Sequence, residues 1–184
     1  MKAPITLLLV LLLAGPAVAA DLVLSPEFAI RDAVDGANFA PLRSTVTAPG
    51  RLFIGMEAGT NPQTWQSRAF RASTDGAKRT AADVLVVRIT APQGLLIGVI
   101  SYEQTVTKAI SRQGSVTSAL SVTINGVPQL VPSNLFIVDL SAERLREAEV
   151  VIAPTLAAFL PAGGLGSGTI EITGAELAVE YVQP

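Results

Sequence analysis

Residues 120–127 read Leu-Ser-Val-Thr-Ile-Asn-Gly-Val, and this stretch decides the class of the fold. Every second residue from Leu120 to Ile124 is apolar and the residues between them carry hydroxyl groups. That alternation is the pattern of a strand with one buried face. Asn125-Gly126 follows, which is the dipeptide that a type I′ hairpin turn prefers because both of its central residues need positive φ. The stretch therefore predicts two antiparallel strands joined by a two-residue turn.

Strand-like runs of apolar and β-branched residues recur along most of the chain. They lie at residues 83–90, 95–102, 103–110, 133–140, 147–153 and 155–160. Residues 141–149 have high helix propensity but span barely two helical turns. Many short strands with almost no helix predict an all-β fold, an antiparallel β-sandwich or jelly roll with at most one short helix. We expect one such domain over residues 21–184.

The last strand-like run changes the face that carries its apolar residues. Ile170 and Ile172 share one parity, whereas Leu177 and the apolar residues after it share the other. A one-residue slip moves every side chain to the opposite face, so an extra residue is needed to keep both halves buried. The parity change predicts a β-bulge at Gly174.

The N-terminus has the three parts of a secretory signal peptide. A cationic Met1-Lys2 precedes the apolar stretch Ile5–Leu13, and the small residues Ala17-Val18-Ala19 follow. We predict a leader over residues 1–20 that is cleaved after Ala19 or Ala20. The apolar stretch is too short to span a bilayer comfortably, so no integral membrane segment is expected after cleavage. The predicted location is extracellular or periplasmic.

Composition excludes several kinds of chemistry. The chain contains no histidine and no cysteine, which removes Ser-His-Asp and Cys-His catalysis, histidine or thiolate zinc sites, and disulfides. The formal net charge is only −2, which argues against a nucleic-acid partner because such proteins carry basic patches. With 49% apolar and 15% charged residues, the chain is too hydrophobic to be disordered.

One loop has the composition of a calcium site. Asp32, Asp35 and Asn38 place three oxygen ligands around Gly36 within seven residues, and Ca²⁺ prefers oxygen ligands in such turns. The EF-hand spacing is absent and no bidentate glutamate follows at the required distance. An Asx-rich turn is therefore the favoured interpretation, with calcium as the alternative cofactor.

Aromatic and acidic side chains suggest two further kinds of site. Trp65, the sole tryptophan, and Tyr102 are candidates for a sugar-stacking platform, and core packing explains either equally well. Glu57, Glu103 and Asp139 lie near predicted strand ends, where paired carboxylates can hydrolyse glycosides.

The segment 86–125 resembles a known class of exported proteins. It runs from a strand through the turn Ala91-Pro92-Gln93-Gly94 into Leu95–Glu103, and later includes Ser115–Ile124. This succession is similar to the β-sandwich ectodomains of exported bacterial proteins that are sorted by a C-terminal Pro-Glu-Pro anchor. The resemblance implies an exported sandwich with no catalytic residues to carry over. The sequence ends at Tyr181-Val182-Gln183-Pro184 without that motif, so we expect release rather than anchoring.

These observations favour a secreted, non-enzymatic structural, matrix or surface-associated protein. It would act through contact with another extracellular protein or with itself, using unprotected sheet edges. Asp21–Ile30 and Thr169–Val182 are the predicted donors of an exchanged strand, because terminal segments can swap between copies. The alternative is a carbohydrate- or ligand-binding module assisted by calcium, and a third hypothesis is a hydrolase that uses carboxylates alone.

Overall fold

The computed structural model describes residues 21–32, 41–56, 66–68 and 77–184. The predicted leader 1–20 lies outside these residues. Two short 3-10 turns, Pro41–Arg43 and Ser141–Glu143, are the helical segments of the described chain. Its strands are β1 (Leu22–Val23), β2 (Phe28–Asp32), β3 (Thr45–Ala48), β4 (Arg51–Ile54), β5 (Gln66–Arg68), β6 (Ala77–Ala82), β7 (Leu85–Thr90), β8 (Leu96–Arg112), β9 (Ser115–Ile124), β10 (Val127–Pro128), β11 (Leu135–Asp139), β12 (Glu147–Leu160) and β13 (Gly166–Val182).

These strands form two antiparallel sheets, which confirms the all-β class. The seven-stranded sheet has the order β1-β2-β7-β12-β9-β10, and β6 also pairs with β12. The six-stranded sheet has the order β11-β8-β13-β4-β3, and β5 also pairs with β13. The inner faces of both sheets contribute to one hydrophobic cluster, as expected of a sandwich. Its fully buried members include Leu85, Val87, Val150 and Ile152 from the first sheet and Leu52, Ile54, Ile100 and Leu177 from the second.

The predicted hairpin at Asn125-Gly126 is confirmed. Both residues have positive φ, 50° and 79°, and Ile124 pairs with Val127 across the turn. The backbone N–H of Glu149 in β12 donates to Asn125 Oδ1 at 2.8 Å. The asparagine therefore supplies the left-handed backbone and also ties the turn to the neighbouring strand.

The predicted bulge near Gly174 is also confirmed. The register of β13 against β8 shifts between Ile172 and Gly174, which leaves Thr173 as the extra residue. Ile172 is buried before the shift and Ala175 after it, so both halves of the strand place apolar side chains in the core.

The long strands were predicted as separate pieces. The predicted strands 95–102 and 103–110 merge into the single strand β8, which begins at Leu96, and β12 continues through Pro154. The Pro154 carbonyl oxygen accepts from Asp83 N–H at 3.4 Å, so this side of Pro154 faces the gap between β6 and β7. The N–H that proline lacks would point to that same gap, so the ladder loses little.

The helix propensity of residues 141–149 is overridden by tertiary packing. Only Ser141–Glu143 forms a 3-10 turn, and its N-cap residue, Leu140, makes no side-chain capping hydrogen bond. Arg144 then adopts the left-handed conformation with φ 54°, which ends the turn. Ala148 and Val150 are buried at alternate positions of β12, so burial of the extended chain outweighs local propensity here.

Two connections pass from one sheet to the other at the same end of the sandwich. Gln113-Gly114 joins β8 to β9, and residues 161–165 join β12 to β13. The two connections bind each other, because Leu165 N–H donates to Gln113 Oε1 at 3.0 Å and Gln113 N–H donates to the Leu165 carbonyl at 3.2 Å. We call this the crossover end. It places the consecutive long strands β8 and β9 in different sheets.

Candidate functional site

The first candidate site is the outer edge of β9 from Ser115 to Ser121. On that side β10 pairs only with Thr123 and Ile124, and Gln129 N–H donates to the Val122 carbonyl at 2.9 Å. Between this bond and the crossover end, no strand in the described part of the chain pairs with the edge. We call residues 115–121 the β9 edge.

The parity of the β9 edge shows which backbone groups are unpaired. In an antiparallel strand the N–H and C=O of one residue point to the same side, and successive residues alternate. The Val122 carbonyl accepts from Gln129 on the open side, and the β9–β12 register continues without a shift. The backbone N–H and C=O groups of the even-numbered residues therefore point to the open side. These residues are Val116, Ser118 and Leu120, whose side chains are half-buried.

A second open edge lies on β8 from Thr105 to Arg112, which we call the β8 edge. β11 pairs with β8 only as far as Glu103, and Gln104 N–H donates to the Asn134 carbonyl at 3.0 Å. Beyond that bond no described strand covers β8 on this side. The β8 edge carries two exposed cations, Lys108 and Arg112.

Both edges lie on one side of the sandwich, because Asn134 bridges them. Its Oδ1 accepts from Gln104 Nε2 at 3.3 Å and from Ser118 Oγ at 3.4 Å. From this bridge to the crossover end, the side of the sandwich is open over the described residues. Ile110 is 55% exposed there, and the rest of β8 from Thr107 to Arg112 is exposed as well.

No charged residue lies on β9 or on the part of β12 that pairs with the β9 edge. None of the ten residues of β9 is ionisable, and neither is any residue of β12 from Val150 to Leu160. A shallow groove of about 320 Å³ lies between the two strands on the outer face, and its most exposed apolar member is Phe159. An edge strand without charged residues is the kind that adds a further strand most readily.

The second candidate site is a trough of about 610 Å³ on the outer face of the six-stranded sheet. Phe53 and Ile137 lie at opposite sides of it and are 39% and 67% exposed. Between them Glu103 of β8 lies directly opposite Glu176 of β13. Carboxylates in this position repel each other, and the ion pair of Arg51 with Glu176 offsets the repulsion. The trough thus combines an aromatic ring with charged hydrogen-bonding groups.

Sequence reasoning missed Phe53 as a surface residue. The signal was present, because Leu52 and Ile54 alternate with it and are fully buried. Period-two alternation then places Phe53 on the outer face. Whether Phe53 lines the trough depends on the order of the strands in the sheet, which the local sequence pattern does not determine.

Tyr102, predicted as a sugar platform or a core residue, lies in the core. Its side chain is fully buried, and its ring stacks on Phe136 with centroids 6.2 Å apart. The hydroxyl donates to Gln104 Oε1 at 3.2 Å, and burial raises the pKa of Tyr102 above its ordinary value. The ring has no exposed face for a ligand, so the packing interpretation describes it.

The other predicted ligand residues are only partly within the described chain. Trp65, Asp35 and Asn38 lie outside it, and Asp32 is the last residue of β2. Across the described ranges no three acidic, histidine or cysteine side chains are grouped to hold a metal ion. The calcium loop and the Trp65 platform stay predictions.

The predicted carboxylate set does not converge. Asp139 ends β11 and Glu103 pairs with Leu135, so four residues of strand, roughly 13 Å, separate the two acids along the sheet. The Ser141 hydroxyl and backbone N–H donate to Asp139 and hold its pKa below the usual range. Glu57 lies outside the described residues. The acid that does neighbour Glu103 is Glu176, on an open sheet face rather than across a cleft.

None of the described helical segments has the length and hydrophobicity to cross a membrane. The sequence matches no known protein family and no curated protein.

Proposed function

We propose that this is an exported, non-enzymatic structural protein that acts through protein–protein contact, including contact with copies of itself. The observation that carries the proposal is the pair of unpaired edges on β8 and β9. An open edge offers a row of N–H and C=O groups to another strand, and strand addition is a recurring mode of protein recognition. The signal-like N-terminus supports export to the periplasm or the cell exterior.

The chemistry of the chain supports a non-enzymatic role. It has no histidine and no cysteine, the groups that most often act as bases and nucleophiles. The adjacent pair Glu103 and Glu176 lies on an exposed face, and Arg51 already pairs with one of the two acids. A carboxylate hydrolase would need two acids that face each other across a bound sugar.

Edge addition is favoured over exchange of a terminal strand. β13 was predicted as a donor, but it lies between β8 and β4 at the centre of its sheet. Ile170 and Leu177 of this strand are fully buried, so its release would open the core. Exchange of Thr169–Val182 without breaking the core, as expected of a terminal segment, is therefore disfavoured.

The N-terminal donor segment is also held in place. Glu27 lies inside Asp21–Ile30, and its Oε2 accepts from Gly50 N–H at 2.9 Å and from the Tyr181 hydroxyl at 3.4 Å. These bonds tie the segment to the opposite sheet. Exchange of this segment would break contacts with both sheets.

Ligand binding in the trough is the second candidate function. Phe53 offers a partly exposed ring, and Glu103 and Arg51 can bond to the hydroxyl groups of a saccharide. We expect Phe53→Ala to abolish any such binding without unfolding the protein, because the side chain is 39% exposed. Titration calorimetry with neutral and acidic polysaccharides measures this directly.

Sedimentation velocity on residues 21–184 over a wide concentration range tests the leading proposal. We expect the mean mass to rise with concentration. A protein that stays monomeric at the highest concentration and binds no extracellular partner contradicts the contact role. Mass spectrometry of the exported protein tests the leader, because retention of Met1 or Lys2 contradicts cleavage.

A further inference from the structure

We propose that two copies of the chain pair through the β9 edge, antiparallel and about a twofold axis at Ser118. This inference rests on the proposed contact function and deepens it, because it names the surface and the partner. The pairing would join two seven-stranded sheets into one continuous sheet. Three properties of the β9 edge support it: parity, absence of charge, and small side chains.

Parity makes the edge complementary to itself. Three residues, Val116, Ser118 and Leu120, point their backbone N–H and C=O groups to the open side, and they are spaced symmetrically about Ser118. When two such edges meet antiparallel, Ser118 faces Ser118 of the second copy and Val116 faces Leu120. Each facing pair exchanges two backbone hydrogen bonds, about six in all. A twofold contact needs this property, because the same patch must serve on both sides.

Absence of charge selects the β9 edge over the β8 edge. Both edges contain the pattern Thr-x-Ala, at residues 117–119 and 107–109, and the middle residue is Ser118 in one and Lys108 in the other. A twofold contact through β8 would place Lys108 opposite itself, and like charges in that position repel. Edge lysines are a recognised protection against strand addition. β9 has no such protection in any of its ten residues.

Small side chains leave room for the second copy. The exposed outer-face residues of the edge are Ser115, Thr117, Ala119 and Ser121. In the proposed register Thr117 lies opposite Ala119 of the second copy. Hydroxyl and methyl groups at these positions neither collide nor bury a charge. Phe159 is 44% exposed on the adjacent strand and would be partly covered near the ends of the contact.

Proline substitution tests the edge. In Ser118→Pro the lost N–H points outward, so the intramolecular ladder keeps its bonds while the intermolecular one is blocked. We expect the dimer dissociation constant to rise at least about tenfold, because bonds at the centre of the contact are lost. Lys108→Pro is the matched control, since it blocks the other edge and should leave association unchanged. Ser118→Ala keeps the N–H and should still dimerise, which separates the edge from the Asn134 contact.

Cysteine cross-linking tests the register and does not depend on how a proline variant folds. The native chain has no cysteine, so introduced thiols have no competitor. In the proposed dimer, residue 117 of one copy and 119 of the other form a non-hydrogen-bonded pair with Cα atoms about 4.5 Å apart. That spacing permits a disulfide, whereas 117 opposite 117 is a diagonal about 7–8 Å apart. A mixture of Thr117→Cys and Ala119→Cys should therefore cross-link several-fold faster than either variant alone.

The equivalent mixture of Thr107→Cys and Ala109→Cys serves as the control on the β8 edge. If the wild-type protein associates but Ser118→Pro has no effect and only the 107/109 mixture cross-links, the β9 pairing is overturned and the contact function stands. If the wild-type protein is monomeric and neither mixture cross-links, self-contact and the β9 pairing fall together. Cross-linking confined to the 117/119 mixture supports the inference.

Discussion

Replacing Tyr102 by phenylalanine removes one hydroxyl group from the core and no carbon atom. That hydroxyl donates to Gln104 Oε1 at 3.2 Å, and the two side chains are 0% and 3% exposed. Without it the amide oxygen is left in a place that water does not reach. A buried hydrogen bond contributes about 0.5–1.5 kcal/mol, and an unsatisfied buried acceptor costs about 1–3 kcal/mol. We expect Tyr102→Phe to lower the free energy of unfolding by about 1–2 kcal/mol.

A double-mutant cycle isolates this bond from the rest of the core. Gln104→Leu removes the acceptor and also takes one donor from Asn134, which still accepts from Ser118 Oγ. When both partners become apolar, no acceptor is orphaned, and such paired replacements are close to neutral. The double variant Tyr102→Phe/Gln104→Leu should therefore cost less than the sum of the single variants, by about 1 kcal/mol or more.

Urea unfolding followed by far-ultraviolet circular dichroism measures the effect. With a denaturant slope of about 2 kcal/mol/M, Tyr102→Phe should lower the midpoint by roughly 0.5–1 M. If the single-variant costs add within about 0.5 kcal/mol, the two side chains are not coupled and the hydrogen bond between them is refuted. A loss of polysaccharide binding without a loss of stability would restore Tyr102 as a ligand platform.

Two further predictions concern tight turns and alkaline pH. Gly126→Ala and Gly50→Ala both strain a positive φ, 79° and 71°, but only Gly50 would bring a Cβ within 2.3 Å of the Val179 carbonyl oxygen. We expect Gly126→Ala to cost about 1–2 kcal/mol and Gly50→Ala clearly more in thermal unfolding, and equal effects would contradict this account. Burial, then the charge and hydrogen bond of Glu27, raise the pKa of Tyr181, so its contribution to stability is complete below about pH 10 and declines above that value. Tyr181→Phe should flatten that decline in urea midpoints measured from about pH 8 to about pH 11.

The features that sequence predicted well are those that a few neighbouring residues determine. Asn125-Gly126 meets the φ requirement of its turn within two residues, and the bulge at Thr173 follows from a parity change within one strand. Period-two burial is equally local, because each side chain needs only its own strand to choose a face. These features fix the class of the fold and the position of one hairpin.

Strand length was harder to predict because it depends on the partner. Pro154 is an interruption when β12 is considered alone, yet it lies where the neighbouring ladder is already broken at Asp83. Residues 141–149 would favour a helix in isolation, but Ala148 lies in β12 and is buried in the core. In both places a distant strand decides the outcome.

The candidate site shows the same limit in a sharper form. The sequence of β9 is visibly uncharged, but an uncharged strand at the centre of a sheet is ordinary, and only an edge strand gains a function from it. What makes β9 an edge is that β10 ends after two residues and the chain then crosses to β11 in the other sheet. Lys108 on β8 is informative for the same reason, since its charge lies at the middle of the other open edge. The contrast between Ser118 and Lys108 becomes an argument about function only once the topology places both residues on unpaired edges at one side of the molecule.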